Sequence, residues 1–408
     1  MNTKKLCLLL SLFWVSPLFA ETPLDCPDIN STGALLRCAM DNAPQVQDLK
    51  LASIQAEHGI AAQGQTINPR VEFQGEGIGS NNTRYEFGYY HTIELGGKRE
   101  RRKDLARSQV SLAQAQMYQA RQQVAVATMT DLVRLRQIRA EQGILTEAIR
   151  TFEALIARFT KARGLSPEQK ASVTAFILAK EETDLHQTAL ANEEDTILGG
   201  LELLVGKKLV NISSILPQMS FKWEVLVPQS INAPELQLAQ AAIDLAEAEA
   251  QIQASVASSN LELGPRLIAE NTSSGQTTRL GFLISLPLPL YHSNQGGRSQ
   301  AEVAKERART HFERTQSRLQ QELERSLRIY RSASAAFKRN VRHNEVKHQH
   351  SELHGFIKRG LVEASVVIEV HRQILAYQRQ LHLLELEGVS AYWRLQALQG
   401  NIQTMVSK

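Results

Sequence analysis

From Lys98 to Ala162 the chain has no proline and one glycine, Gly143. Across the same stretch Val124, Met129, Leu132, Leu135, Ile138 and Leu145 recur on a helical spacing. One unbroken amphipathic helix is predicted, about 100 Å long at 1.5 Å per residue. No globular core covers a helix of that length. A glycine follows at Gly164, and Pro167–Val205 has the pattern of a returning helix, so the two read as a long αα-hairpin.

The chain then does this again. Asn68-Pro69-Arg70 recurs as Gly264-Pro265-Arg266, Thr83-Arg84 as Thr278-Arg279, Gly96-Gly97-Lys98 as Gly296-Gly297-Arg298, and Arg163-Gly164-Leu165 as Arg359-Gly360-Leu361. Four landmarks in one order at one spacing indicate an internal duplication of about 195 residues per copy. Each copy offers a helix (34–62; 234–259) and then two alternating segments (70–77 and 84–95; 265–273 and 277–288). A long helix (98–162; 298–358) and a returning helix (167–205; 363–399) complete it. The turn Gly79-Ser80-Asn81-Asn82 has hairpin chemistry. The expected organisation is a leader at 1–20, a first repeat at 21–209, an apolar, proline-punctuated connecting belt at 210–233 and a second repeat at 234–408. The strand hairpins fall at 70–95 and 265–288, and the helical hairpins at 98–206 and 298–401.

Lys4 and Lys5 precede the apolar run Leu6–Val15, and Ser16-Pro17-Leu18-Phe19-Ala20 closes the segment. A basic start, a short apolar stretch and a small residue at the cut describe a secretory signal peptide. Export leaves Cys26 and Cys38 close together in an oxidising space, where a disulfide is the expectation and two free thiols the alternative. The run Leu6–Ala20 is the only one approaching the roughly 20 apolar residues of a membrane-spanning helix, which excludes a helical transporter. It does not exclude a spanning β-barrel, whose strands need only about 9–11 residues.

Phe73, Tyr85, Phe87 and Tyr89, and in the second copy Leu280, Phe282, Ile284 and Leu286, alternate with small or polar residues as a lipid-facing strand does. Four strands per chain cannot close a barrel, and open edges are not tolerated in lipid. Several copies must then share one barrel; the alternative is a soluble four-stranded sheet packed on helices.

Tyr89-Tyr90-His91-Thr92-Ile93-Glu94-Leu95-Gly96-Gly97-Lys98-Arg99, and Ser285-Leu286-Pro287-Leu288-Pro289-Leu290-Tyr291 ahead of Asn294-Gln295-Gly296, resemble the strand-to-helix junctions of the TolC-like outer-membrane factors. The Glu-Leu-Gly-Gly-Lys-Arg form, with Arg359–Ser365, Ile368-Glu369 and His371-Arg372-Gln373, is most similar to the CzcC-type branch serving heavy-metal efflux. The resemblance covers nearly the whole mature chain. It implies a mainly α fold with a small β part: a homotrimer whose twelve-stranded outer-membrane barrel is continued by a periplasmic α-helical barrel. It also implies a periplasmic adaptor and an inner-membrane pump of the resistance-nodulation-division class, outer-membrane lipid around the barrel, and no cofactor or catalysis of its own. Drug efflux or type I secretion is the same-family alternative, and a periplasmic coiled-coil scaffold the alternative of another class.

Within that frame Gly96, Gly97, Gly296 and Gly297 are expected to let the chain swing from strand to helix, and Pro287 and Pro289 to bend the strand end inward. Gly164 and Gly360 mark the helix-hairpin tips. The resemblance places an acidic constriction on the second returning helix near its tip. The usual position holds Val366 here, leaving Glu363 and Glu369 as candidates. Glu363 also suits a helix first turn for its dipole alone. His343, His350 and His354 lie on one helical stripe and could contact a divalent metal, against a reading as polar packing or adaptor contact.

The segments 98–163 and 298–359 carry 14 and 15 basic residues against 6 and 7 acidic ones. Exported and without interleaved aromatics, they do not read as nucleic-acid binding. A solvated tunnel wall or an acidic partner fits better. No phosphate loop, catalytic triad or Cys-x-x-Cys pattern is present in the sequence.

Overall fold

The computed structural model describes residues 26, 29–78, 82–161, 164–217, 223–226, 230–339, 352, 355–356 and 362–402. The leader at 1–20, the turn residues Gly79, Ser80 and Asn81, the tip Gly360 and the stripe His343, His350 and His354 lie outside the described residues.

The first copy comprises α1 (Thr32–Asn42), α2 (Pro44–Gln63), β1 (Arg70–Glu76), β2 (Thr83–Ile93), α3 (Lys98–Thr160) and α4 (Pro167–Val205). The second comprises α5 (Pro234–Val256), β3 (Leu261–Thr272), β4 (Gly275–Ser285), α6 (Gln295–Arg339) and α7 (Ala364–Leu398). A 3-10 turn, Ile212–Ser214, lies between them. The single helix expected over 34–62 is two: Ala43 sits at ψ 131°, extended because the following Pro44 excludes the helical conformation before it. Pro44 then starts α2 without an amide to satisfy. The helix ends at Gln63, short of Asn68-Pro69.

At 63 residues, α3 is the spine. Its apolar stripe buries Leu132, Leu135 and Ile138 completely. On one side it packs against α4 and on the other against α7, which in turn packs against α6. The four helices therefore form a layer in the order α4-α3-α7-α6, with α4 and α6 as its flanks. Near the sheet α2 and α5 pack on α3, and α5 on α6. In the connecting segment Ile212 and Ile215 join the main core, with Leu226 packed against it. Trp223 packs in tilted contact with Tyr330 and Phe337, ring centres 5.5 and 5.6 Å away. The buried Tyr330 hydroxyl donates to the Glu224 carbonyl at 2.8 Å, and burial pushes its pKa up to about 12.

Cys26 and Cys38 form a disulfide with Cα atoms 5.7 Å apart, fastening the chain's start to α1. Closing so short a loop limits the unfolded chain by about 3 kcal/mol. Cys26→Ser with Cys38→Ser is therefore expected to lower unfolding stability by about 2–3 kcal/mol. Denaturant titration would show it, and equal midpoints with and without reductant would contradict it.

Candidate functional site

Both strand hairpins join one antiparallel sheet in the order β1-β2-β3-β4. The two copies meet at the β2–β3 seam, while β1 and β4 each pair on one side only. Phe73 lies opposite Phe87, Phe87 opposite Leu267, and Leu267 opposite Leu280. Directly opposed residues share a face, so Val71, Phe73, Tyr85, Phe87, Tyr89, Ile93, Leu267, Leu280, Phe282 and Ile284 form one apolar belt across all four strands. The belt faces outward: Phe73 is 68% exposed, Leu280 80% and Ile284 68%. Leu286 is exposed too but follows the strand end.

The opposite face is ionic. Arg70 pairs with Glu262 at 3.2 Å, Arg266 with Glu86 at 3.1 Å, Arg84 with Glu86 at 3.4 Å and Glu270 at 3.7 Å, and Arg279 with Glu270. These charges balance one another across strands, as a polar lining requires. Arg70 also stands 5.4 Å from the ring centre of Tyr90, which lies over Gly88. Among the described residues no helix is long and apolar enough to cross a membrane. β2, β3 and β4, at 11 or 12 residues, have the length of a tilted transmembrane strand.

Gly264 makes the seam possible. An added Cβ would overlap the Tyr89 carbonyl oxygen and stand 2.8 Å from its carbonyl carbon. Pro265 follows it and has no amide to donate, and regular pairing lapses between Gly88–Arg266 and His91–Leu263.

The sheet is pinned to the helices at two junctions. Gly96 and Gly97 have φ of 72° and 68°, a conformation open to glycine. Lys98 donates to Asn260 at 2.6 Å, Arg99 to the Gly64 carbonyl at 2.6 Å, and Arg102 to Glu94 at 3.0 Å. The Arg102 hydrogen bond outweighs desolvation and holds the Glu94 carboxyl below its ordinary pKa.

In the second junction Gly296 and Gly297 do not make the turn; they lie in the first turn of α6. Asn294 takes the left-handed conformation instead, at φ 56°. Asparagine is among the few residues that tolerate this region, and its side-chain amide donates to the Gln253 carbonyl of α5 at 2.8 Å, tying the junction to that helix. Gly297 is needed for space, since a Cβ there would fall on Asn294 and Gln253. Pro287 and Pro289 lie beyond Ser285, where β4 has ended, so they follow the strand rather than bend it.

At the far end Gly164, at φ 77°, precedes a capping box in which Ser166 and Gln169 satisfy each other's amides. A groove of about 810 Å³ opens between the ends of α3, α4 and α7, lined by Phe159, Phe176, Val367 and Glu363. Glu363 is the N-cap residue of α7. Glu369 lies on the exposed flank, 2.7 Å from Arg372 and accepting from Gln373 at 2.7 Å. The two acids therefore occupy different settings, and only Glu363 faces the groove.

A cluster that the sequence reading missed ties α3, α4 and α7 together at mid-length. Glu141, fully buried, meets His382 Nδ1 at 2.6 Å and Arg134 at 3.1 Å. Arg134 also grips Glu193 of α4 at 2.7 and 2.8 Å. Gln137 donates to Glu385 at 2.9 Å, Arg136 pairs with Glu385, and Gln378 meets His382 Nε2 at 2.6 Å. Burial works to raise the Glu141 carboxyl, but His382 and Arg134 together hold it below the ordinary carboxylate value. The signal was present: Glu141 stands between Ile138 and Leu145 on the apolar stripe.

No protein-family model and no curated protein matches the chain. Solved structures do. The Campylobacter jejuni CmeC outer membrane channel superposes with a TM-score of 0.70 at 11% identity, over 91% of this chain and 85% of that one. The open-state Neisseria gonorrhoeae MtrE outer membrane channel gives 0.70 at 13%, over 91% and 90%. CusC, described for its transmembrane channel formation, gives 0.66 at 14%, over 90% and 92%. The fold is thus shared along nearly the whole length, and it is the fold of the TolC-like outer-membrane channels.

Proposed function

We propose that three copies pool their strands into one twelve-stranded barrel in the outer membrane, and that their helices continue it as a tunnel through the periplasm. The observation that carries this reading is the sheet: apolar on one face, ionic on the other, with β1 and β4 each paired on one side only among the described residues. Neither strand can stay open in lipid, and β4 of one copy supplies what β1 of the next lacks. The solved structures of this fold described as outer membrane channels support the same location and role.

The duct has no energy source of its own. A periplasmic adaptor and an inner-membrane pump of the resistance-nodulation-division class load it, and heavy-metal cations are the cargo. The cargo rests on the CzcC-like form of Glu94-Leu95-Gly96-Gly97-Lys98-Arg99 and of the segment from Arg359 to Gln373. Glu363 lines the constriction, since Glu369 shares its charge with Arg372. A strain lacking the protein is expected to retain such metals and lose tolerance to them; unchanged tolerance to every divalent and monovalent metal tried would remove the cargo. In planar bilayers Glu363→Gln is expected to lower cation preference about threefold, a shift of under 1 kcal/mol in relative barrier. Identical selectivity in Glu363→Gln and wild type would remove its role.

A further inference from the structure

The two flanks of the helical layer carry opposite charge. α4 has eight acidic residues and two basic ones, whereas α6 has eleven basic and five acidic. α4 also leaves Leu178 and Leu185 65% and 71% exposed. Along α6, Arg318 and Arg325 share the single carboxylate Glu322, which Arg394 also holds. A flank with an excess of acid and an apolar stripe, and a flank with an excess of base, stand at opposite edges of one molecule, although Glu193, Glu194, Glu181 and Asp184 of α4 and Lys305 and Arg328 of α6 have ion pairs within the chain.

We infer that the acidic flank α4 of one copy docks on the basic flank α6 of the next, so that charge complementarity closes the helical ring. This rests on the three-copy assembly proposed above and names the contact that orders it. The internal repeat supplies the register. α3 and α6 begin 197 positions apart, at Lys98 and Gln295, and α4 and α7 likewise, at Pro167 and Ala364. Shifted by that interval, forward on α3 and back on α7, the α3–α7 contact inside one chain becomes an α6–α4 contact between chains.

Inside the chain Glu141 meets His382 and Thr130 meets Ser390. Shifted, these become Lys338 facing Leu185, and Leu327 facing Glu193. Glu181 then lies one turn from the level of Lys338, and Asp195 level with Arg328. Glu181 and Arg328 side chains are 67% and 72% exposed in the single chain. A head-to-tail contact of this kind forms a ring only when the rotation closes. Opposite charge on the two flanks makes α4-to-α6 the attractive pairing and sets α4 against α4, or α6 against α6, in repulsion.

The test is charge exchange in the full-length protein in detergent, with assembly read by native mass spectrometry. Glu181→Arg with Asp195→Arg, or Arg328→Glu with Lys338→Glu, is expected to raise the concentration of half-dissociation roughly tenfold, and added salt to weaken wild type. All four changes in one chain are expected to restore trimers that exclude wild-type chains. Wild-type trimers unaffected by either pair would overturn the inference and leave the assembly reading standing, as would a fourfold variant no better than the pairs. A wild-type protein that is monomeric at every concentration would overturn both.

Discussion

Gly264→Ala is expected to abolish channel conductance while leaving the helical hairpins folded. The added methyl would occupy the space of the Tyr89 carbonyl, a backbone atom with no rotamer to escape into, so β2 and β3 must part. Overpacking of this kind costs about 3 kcal/mol, and here it falls on the only seam joining the two hairpins of one chain. Gly281→Ala is the contrast: its methyl would meet only the flexible Arg266 side chain, at 3.1 Å, and is expected to conduct normally. Protease sensitivity of the sheet with unchanged far-ultraviolet helicity would mark the predicted failure of Gly264→Ala. Conductance equal to wild type would show that the seam is not built as described.

The second large effect is predicted at Glu141. Glu141→Ala removes a fully buried carboxylate from between His382 and Arg134, leaving both inside the helical layer with less than they now have. Breaking one side of a buried ionic cluster costs about 3–5 kcal/mol. Arg134 keeps Glu193, so the lower end, about 3 kcal/mol, is expected.

The cluster also predicts a pH dependence with a definite sign. Because the folded Glu141 pKa is depressed below 4.5, its stabilisation is fully present above the unfolded value and is lost as pH falls through the folded one. Arg134, Arg136, Glu193, Glu385, Gln137 and Gln378 face the same cluster, and the two arginines stay charged throughout. Thermal unfolding of wild type and Glu141→Gln at neutral pH and at pH values below 4.5 should therefore converge as the solution becomes acidic. A gap between them that widens on acidification would contradict the assignment.

Much of this architecture was legible from proline and glycine. The helices read at 98–162 and 167–205 occupy Lys98–Thr160 and Pro167–Val205, because Pro167 and Gly206 punctuate a stretch whose apolar stripe has no competitor. The belt face of the sheet was legible from period-two alternation for the same reason. Four things were not. Helical periodicity runs through Ala43, so the break imposed by Pro44 was overridden by an alanine-rich pattern. Asn294 was passed over because a glycine pair two residues later looked like the stronger turn signal.

The Glu141–His382 contact spans 241 positions, and nothing in either local pattern names the partner. Strand order is invisible for a related reason. Alternation tells which side of a strand is apolar, but not that β2 pairs with β3 across the two copies.

The central claim is that the sheet becomes a membrane barrel only when three chains combine. Native mass spectrometry of the protein extracted by detergent from the outer-membrane fraction tests it most directly. The account predicts a species of three chains that conducts ions in planar bilayers. A single chain recovered from the soluble periplasmic fraction, with its sheet closed by packing instead of by further strands, would contradict it.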